Sequence, residues 1–154
     1  MIFAYDKDGI VATNRVPVGR SVNAQYYKDF LRQNLRPKIR KLRPGMLERG
    51  VLILHDNARP HIADVVSDYL DKTDWETLPY PAYSPDMSPP DFDLFPKLKE
   101  PLRGIRFPTL NDLSSAVTRR IRQLHVPGAL TGIADLPKRW QACIEKQGDY
   151  IEGL

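Results

Sequence analysis

Hydrophobic and polar positions follow two periods along this chain. Ile2-Phe3-Ala4-Tyr5 and Ile10-Val11-Ala12-Thr13 flank Asp6-Lys7-Asp8-Gly9, and an Asp-Gly turn between two such runs predicts a β-hairpin. Tyr27, Phe30, Leu31 and Leu35 then recur on one helical face behind Asn23, which reads as the N-cap. Pro37 interrupts this spacing and predicts a break or a second short helix. Val51-Leu52-Ile53-Leu54 is a run of aliphatic residues, two of them β-branched, and reads as a strand buried on both faces. Ile62, Val65, Val66, Tyr69 and Leu70 form the next helical stripe, with Asp64, Asp68 and Asp71 on the solvent side. Trp75-Glu76-Thr77-Leu78 is the next candidate strand. It closes a β-α-β unit, for which the expected geometry is parallel pairing through a right-handed crossover.

The second half is punctuated by proline. Residues 79, 81, 85, 89 and 90 are all Pro, and fixed φ angles make such a stretch a stiff strap. Pro96 and Pro101 fall inside the helix expected to follow, so a kink or a late start is predicted there. Thr109-Leu110-Asn111-Asp112 has the spacing of a capping box. Behind it Leu113, Ala116, Val117, Ile121 and Leu124 line one face, with Arg119, Arg120 and Arg122 mostly off it as a basic edge. A last helix over Pro137–Lys146 carries Trp140 and Cys143, read as core packing.

Size and composition narrow the class. The 154 residues, 42% hydrophobic and 27% charged, fit one globular domain spanning 1–154. No apolar run approaches the length of a membrane span, and Met1–Tyr5 is too short for a secretory signal. Cys143 is the lone cysteine, so an internal disulfide is excluded. The net charge of +4 permits nucleic-acid binding without requiring it. Arg36, Lys38, Arg40, Lys41 and Arg43 concentrate that charge on what reads as a solvated helix face, a phosphate-binding patch being the alternative.

The chemistry lies where the Val51–Leu54 run stops. His55-Asp56-Asn57-Ala58-Arg59-Pro60-His61 puts a carboxylate at the carboxyl end of a strand, with Pro60 opening the next helix. Taken alone, Asp56 reads as a loop carboxylate capping that helix. Downstream, Tyr83-Ser84-Pro85-Asp86-Met87-Ser88-Pro89-Pro90-Asp91 ends the strap with a second carboxylate at a helix start. Thirty-four residues separate Asp56 from Asp91. His55 and His61 are read first as hydrogen-bonded structural residues, and His125 has no evident partner. No His/Cys cluster points to zinc, and no glycine-rich loop points to a nucleotide.

The two motifs in register, His-Asp-Asn-Ala-Arg-Pro-His and Tyr-Ser-Pro-Asp-x-x-Pro-x-Asp, resemble the catalytic core of mariner-family transposases. The resemblance runs from Met1 to about Glu152. It includes Asp6–Ile10, Gly104-Ile105-Arg106-Phe107 and Leu136-Pro137-Lys138-Arg139-Trp140-Gln141-Ala142-Cys143. The family carries three catalytic Asp residues, thirty-four residues separating the second from the third. The fold so implied is α/β: an RNase H-like mixed sheet with flanking helices, here lacking its first strand or strands. The implied catalytic and metal-binding residues are Asp56, as a bridging ligand, and Asp91, converging on two Mg²⁺ (or Mn²⁺) ions, whose hard-oxygen preference suits carboxylates. Without metal, two nearby carboxylates repel, which predicts that Asp56→Asn stabilises the chain.

The implied partners of the whole enzyme are DNA, as transposon ends and as target, with room for a homodimer. No membrane and no small-molecule substrate are implied, and the expected location is nuclear. The family's first catalytic Asp has no counterpart in the 55 residues ahead of Asp56. The chain is therefore expected to be the carboxyl-terminal portion of a catalytic domain, inactive by itself. Two other readings stay open: a non-catalytic DNA- or protein-binding module, and a compact nuclease recruiting Asp6. Against the latter, Asp6 reads as a turn residue. It is expected to be solvent-exposed and remote from Asp56 and Asp91.

Overall fold

A computed structural model describes residues 1–81 and 84–146. Tyr83, which opens the second motif, and the end of the resemblance near Glu152 lie outside the described residues. The chain divides into two compact units, residues 1–5 with 11–82 and residues 6–10 with 83–154.

The predicted hairpin forms, as β1 (Ile2–Asp6) and β2 (Gly9–Asn14). Asp6 Oδ1 accepts the Asp8 N–H at 2.9 Å across the turn, and Gly9 takes φ +125°, which a side chain would strain. In the first unit, α1 (Ala24–Asp29) opens on Asn23, whose Oδ1 accepts the Tyr26 N–H at 2.8 Å. Pro37 does not stop the chain's helical course. The helix widens into a π-helical turn over Phe30–Leu35 and resumes as α2 (Arg36–Leu42). The missing N–H of Pro37 thus falls in the first turn of α2, where the hydrogen-bond register is already changing.

After α3 (Met46–Arg49) comes β3 (Leu52–Ile53), paired in parallel with β4 (Glu76–Thr77) in the register Leu52 to Glu76 and Ile53 to Thr77. The parallel pairing was expected; burial on both faces was not met. Val51 is buried, but Leu52 is 61% exposed. Side chains alternate across a strand, so the face that Leu52 shares is left uncovered by the described residues. Between the strands lie α4 (Arg59–Ile62) and α5 (Asp64–Lys72). Ala63, extended at φ −65°, ψ 149°, separates them. Ile62 is therefore turned off the predicted stripe and stays exposed, while Val66, Tyr69 and Leu70 are buried. These three join Tyr27, Phe30, Leu31, Leu35, Ile39, Val51 and Trp75 in one core. Each fully buried aliphatic side chain in it stabilises the fold by about 1.5–3 kcal/mol.

In the second unit a 3₁₀ turn (Pro85–Met87) precedes a π-helical turn (Pro90–Leu94), then α6 (Phe95–Lys99) and a 3₁₀ turn (Glu100–Leu102). This broken helix is how the chain accommodates Pro96 and Pro101. Thr109 caps α7 (Leu110–Leu124): its Oγ1 accepts the Asp112 N–H at 3.1 Å and donates to Asp112 Oδ2 at 2.8 Å. Arg120, expected on a basic outer edge, instead donates from Nε to the Lys97 carbonyl at 2.9 Å. It ties α7 to α6. Leu94, Leu98, Leu124, Leu130 and Leu136 are buried aliphatics of this unit, as is Ile10 from the hairpin. On α8 (Leu136–Glu145) Trp140 is 38% exposed, not packed in the core. Leu136, Arg139 and Cys143 share the inward stripe, and Trp140 stands at its rim.

Candidate metal centre

The Asp56 turn is built entirely within the first unit. From β3 the chain runs through Leu54–Asn57 into α4, and Asn57 Nδ2 anchors this loop by donating to the Tyr80 carbonyl at 2.9 Å. Asp56 Oδ1 accepts the Ala58 N–H at 3.0 Å, the local helix-entry bond that its sequence position suggested. The same oxygen takes a second donor, His61 Nδ1, at 2.7 Å. Asp56 Oδ2 has no hydrogen-bond partner among the described residues, and the side chain is 54% exposed.

Three rings stand behind this carboxylate. The His61 ring lies 4.3 Å from Tyr27 and 5.0 Å, nearly parallel, from His55. The Tyr27 hydroxyl and His55 Nδ1 are 2.8 Å apart. Burial, with His61 nearby, pushes the His55 imidazole down to about 4, against a smaller upward pull from Asp56. His55 is therefore neutral at physiological pH, and its Nδ1 is hydrogen-bonded to the Tyr27 hydroxyl. Burial, followed by the Asp56 charge, holds the Tyr27 phenol well above its ordinary range. His55 is thus a hydrogen-bonded structural residue, as expected. The contact of His61 with Asp56 was missed from sequence. The five-residue spacing across a short first turn was the available signal.

Asp91 lies in the second unit, in the π-helical turn, where its N–H donates to the Ser88 carbonyl at 2.9 Å and its side chain is exposed. Its neighbours hold the turn. The Phe92 ring carries the Arg139 guanidinium 3.6 Å above it, and Arg139 Nη1 donates to the Asp86 carbonyl at 3.1 Å. Asp93, 5% exposed, pairs with Lys97 and accepts the Gly132 N–H at 2.8 Å. Lys97 also donates to the Ala129 carbonyl at 2.9 Å. Gly132 has no room for a side chain, because a Cβ there would sit 2.8 Å from Asp93 Cβ and 2.9 Å from the Phe92 ring. Sequence reading passed over Asp93 and Gly132. Only the fold brings residues thirty-nine positions apart together.

Asp6 is partly buried, not solvent-exposed as expected, and its carboxylate accepts the Asp8 N–H. His125 packs against the same hairpin turn, with Nδ1 3.7 Å from where a Gly9 Cβ would stand. Among the described residues, no group of three or more His, Cys, Asp or Glu is placed to hold a metal ion. Asp56 in the first unit and Asp91 in the second are each an accessible carboxylate on a braced turn. Both offer hard oxygen, the donor type that Mg²⁺ and Mn²⁺ take.

No family model matches the chain. The Mariner Mos1 transposase of Drosophila mauritiana is 33% identical over 150 residues, which span 96% of this chain and 43% of that protein. The crystallised catalytic domain of Mos1 transposase with raltegravir and Mg aligns at a TM-score of 0.89 and 32% identity, covering 97% of this chain and 75% of that one. The chain belongs to the mariner transposase family. The RNase H-like α/β fold expected from the two Asp motifs is that of the mariner catalytic domain. A second relative, the human histone-lysine N-methyltransferase SETMAR, is 30% identical over 145 residues, 94% of this chain and 21% of that protein. A Mos1 paired-end complex with Mn aligns at a TM-score of 0.87 and 32% identity, over 96% of this chain and 43% of that one. The chain spans less than half the length of these two relatives.

Proposed function

We propose that this chain is part of the catalytic core of a mariner-type DNA transposase, with Asp56 and Asp91 as its catalytic carboxylates and metal ligands. The observation that carries this reading is the Asp56 turn. It is a carboxylate fixed through one oxygen and open through the other, in a chain aligning with a Mos1 domain crystallised with Mg. The donor set fits Mg²⁺ or Mn²⁺, and two ions suit a pair of carboxylates serving phosphodiester chemistry. When bound, such ions polarise a phosphodiester and lower the pKa of water. The protein's own share is to hold each carboxylate on a braced turn, so that little ordering is left to occur on binding.

A DNA partner is supported by the Mos1 paired-end complex; the reading extends it to transposon ends and target, and pairing of ends accords with a homodimer. Work on chromosomal DNA accords with a nuclear location. No helix among the described residues is long and apolar enough to cross a membrane. The chain alone is expected to bind Mn²⁺ but not to cut, since the family site uses a third carboxylate.

Incubating the chain with a transposon-end duplex and Mg²⁺ or Mn²⁺ tests this. No nicking is expected, together with Mn²⁺ binding that Asp56→Asn abolishes and Asp91→Asn weakens. Metal-dependent nicking lost in both Asp56→Ala and Asp91→Ala would promote the compact nuclease. Duplex binding unaffected by either substitution, with no Mn²⁺ binding, favours a non-catalytic DNA-binding module. For that module the exposed Lys38, Arg40 and Lys41 of α2 are the natural phosphate contacts.

A further inference from the structure

We infer that His61 is a positioning residue for Asp56, which by occupying Oδ1 dictates that Asp56 meets a divalent cation through Oδ2 alone. The inference rests on the reading of Asp56 as a metal ligand and goes beyond it to the mode of ligation and the residue that sets it.

A carboxylate has about four lone-pair sites, two on each oxygen. On Asp56 both sites of Oδ1 are taken, by the Ala58 N–H at 3.0 Å and by His61 Nδ1 at 2.7 Å. Oδ2 has neither, so a cation approaching the exposed side finds one oxygen with its lone pairs available. A chelating mode, with both oxygens on one ion, requires that Oδ1 give up a charged-acceptor bond. That bond is of the stronger class.

The donor is held as firmly as the acceptor. His61 follows Pro60 in the first turn of α4, and its N–H donates to the Ala58 carbonyl at 2.8 Å. Its ring is stacked against His55 and packs at a tilt against Tyr27. Tyr27 is itself buried in the core and bonded through its hydroxyl to His55. Rotation of the His61 ring away from Asp56 therefore disrupts two ring contacts as well as the hydrogen bond. The carboxylate is aimed from the core of the unit, through Tyr27 and His61. Second-layer groups of this kind typically tune metal affinity 10–100-fold.

The test uses Mn²⁺ alone as the probe, with affinity and the electron paramagnetic resonance line shape read on the unaltered chain and on variants. Far-UV circular dichroism and the unfolding midpoint check folding in each. Asp56→Asn should abolish the Mn²⁺ signal. His61→Ala should weaken Mn²⁺ about ten-fold and change the line shape as the second oxygen becomes available. His61→Asn, whose amide N–H falls near the place of Nδ1–H, should restore affinity to within about three-fold of the unaltered chain. His61→Phe keeps the stacking but donates nothing, and should behave as His61→Ala. If Asp56→Asn abolishes binding while His61→Ala leaves affinity and line shape unchanged, the positioning role is wrong and the metal reading survives. Retention of full affinity by His61→Phe, or equal loss in His61→Asn and His61→Ala, assigns His61 to packing and overturns the inference. Mn²⁺ binding that Asp56→Asn leaves intact, or none by the unaltered chain, overturns the metal reading itself.

Discussion

The two Asp-bearing turns solve one problem in opposite ways. In the first unit Asp56 is tied through its own carboxylate, with Ala58 N–H and His61 Nδ1 both on Oδ1. In the second unit the structure fixes not the Asp91 side chain but the turn beneath it, through Phe92 under Arg139 on one side and Asp93 against Lys97 and Gly132 on the other. Direct tying fixes which oxygen is free but uses up acceptor capacity. Bracing through neighbours leaves the whole carboxylate available but needs a half-buried ion pair and a glycine. The comparison teaches that a carboxylate's readiness for a ligand can be set by its own bonds or by those of the residues next to it. The two arrangements fail under different substitutions.

The largest effect is expected for Asp93→Ala. It strips a nearly buried carboxylate from Lys97 and from the Gly132 N–H, and loss of one partner from such a pair costs about 3 kcal/mol. Chemical denaturation should show that loss, and a change below about 1 kcal/mol would mean that Asp93 braces nothing. Gly132→Ala comes next, because its methyl would meet Asp93 and Phe92 at under 3 Å. Overpacking of that kind costs about 1–3 kcal/mol, and the same denaturation curve would read it.

The next effect separates the turns by pH. The folded value of His55, about 4, lies below its unfolded 6.5. Between these values the unfolded chain binds more protons. The stability contributed by neutral His55 is thus fully present above pH 6.5 and is lost as pH falls through about 4. Discounted for partial exposure, the loss should be about 1–2 kcal/mol. His55→Asn should flatten this part of the stability-versus-pH curve. An unchanged slope would remove His55 as its source.

The smallest effects contrast the two carboxylates directly in the metal-free chain. Asp56→Asn gives up a charge-assisted bond and should destabilise by about 0.5–1.5 kcal/mol. This reverses the sign expected from repulsion between two carboxylates. Asp91→Asn, on an exposed side chain without such bonds, should stay within about 0.5 kcal/mol of the unaltered chain. Thermal unfolding in chelator distinguishes the pair, and equal shifts would erase the contrast drawn here.

Local rules sufficed for much of this chain. The hairpin closed by Asp6 and Gly9 and the Asn23 and Thr109 caps follow from neighbours a few residues apart. Such interactions are written in consecutive residues. The mariner family was legible for a related reason, since two motifs at fixed spacing are a property of the chain itself. Burial was legible only in part, because it depends on what lies across from a side chain. Leu52 and Trp140 are exposed although their local patterns suit a core, and Ile62 leaves its stripe where Ala63 turns extended. The bracing of the Asp91 turn by Gly132 and the tilted ring contact of Tyr27 with His61 join residues more than thirty positions apart. Periodicity carries no information at that range. The sequence by itself determined which carboxylates to examine; tertiary packing decided how each is held, because it alone brings distant donors within hydrogen-bonding distance.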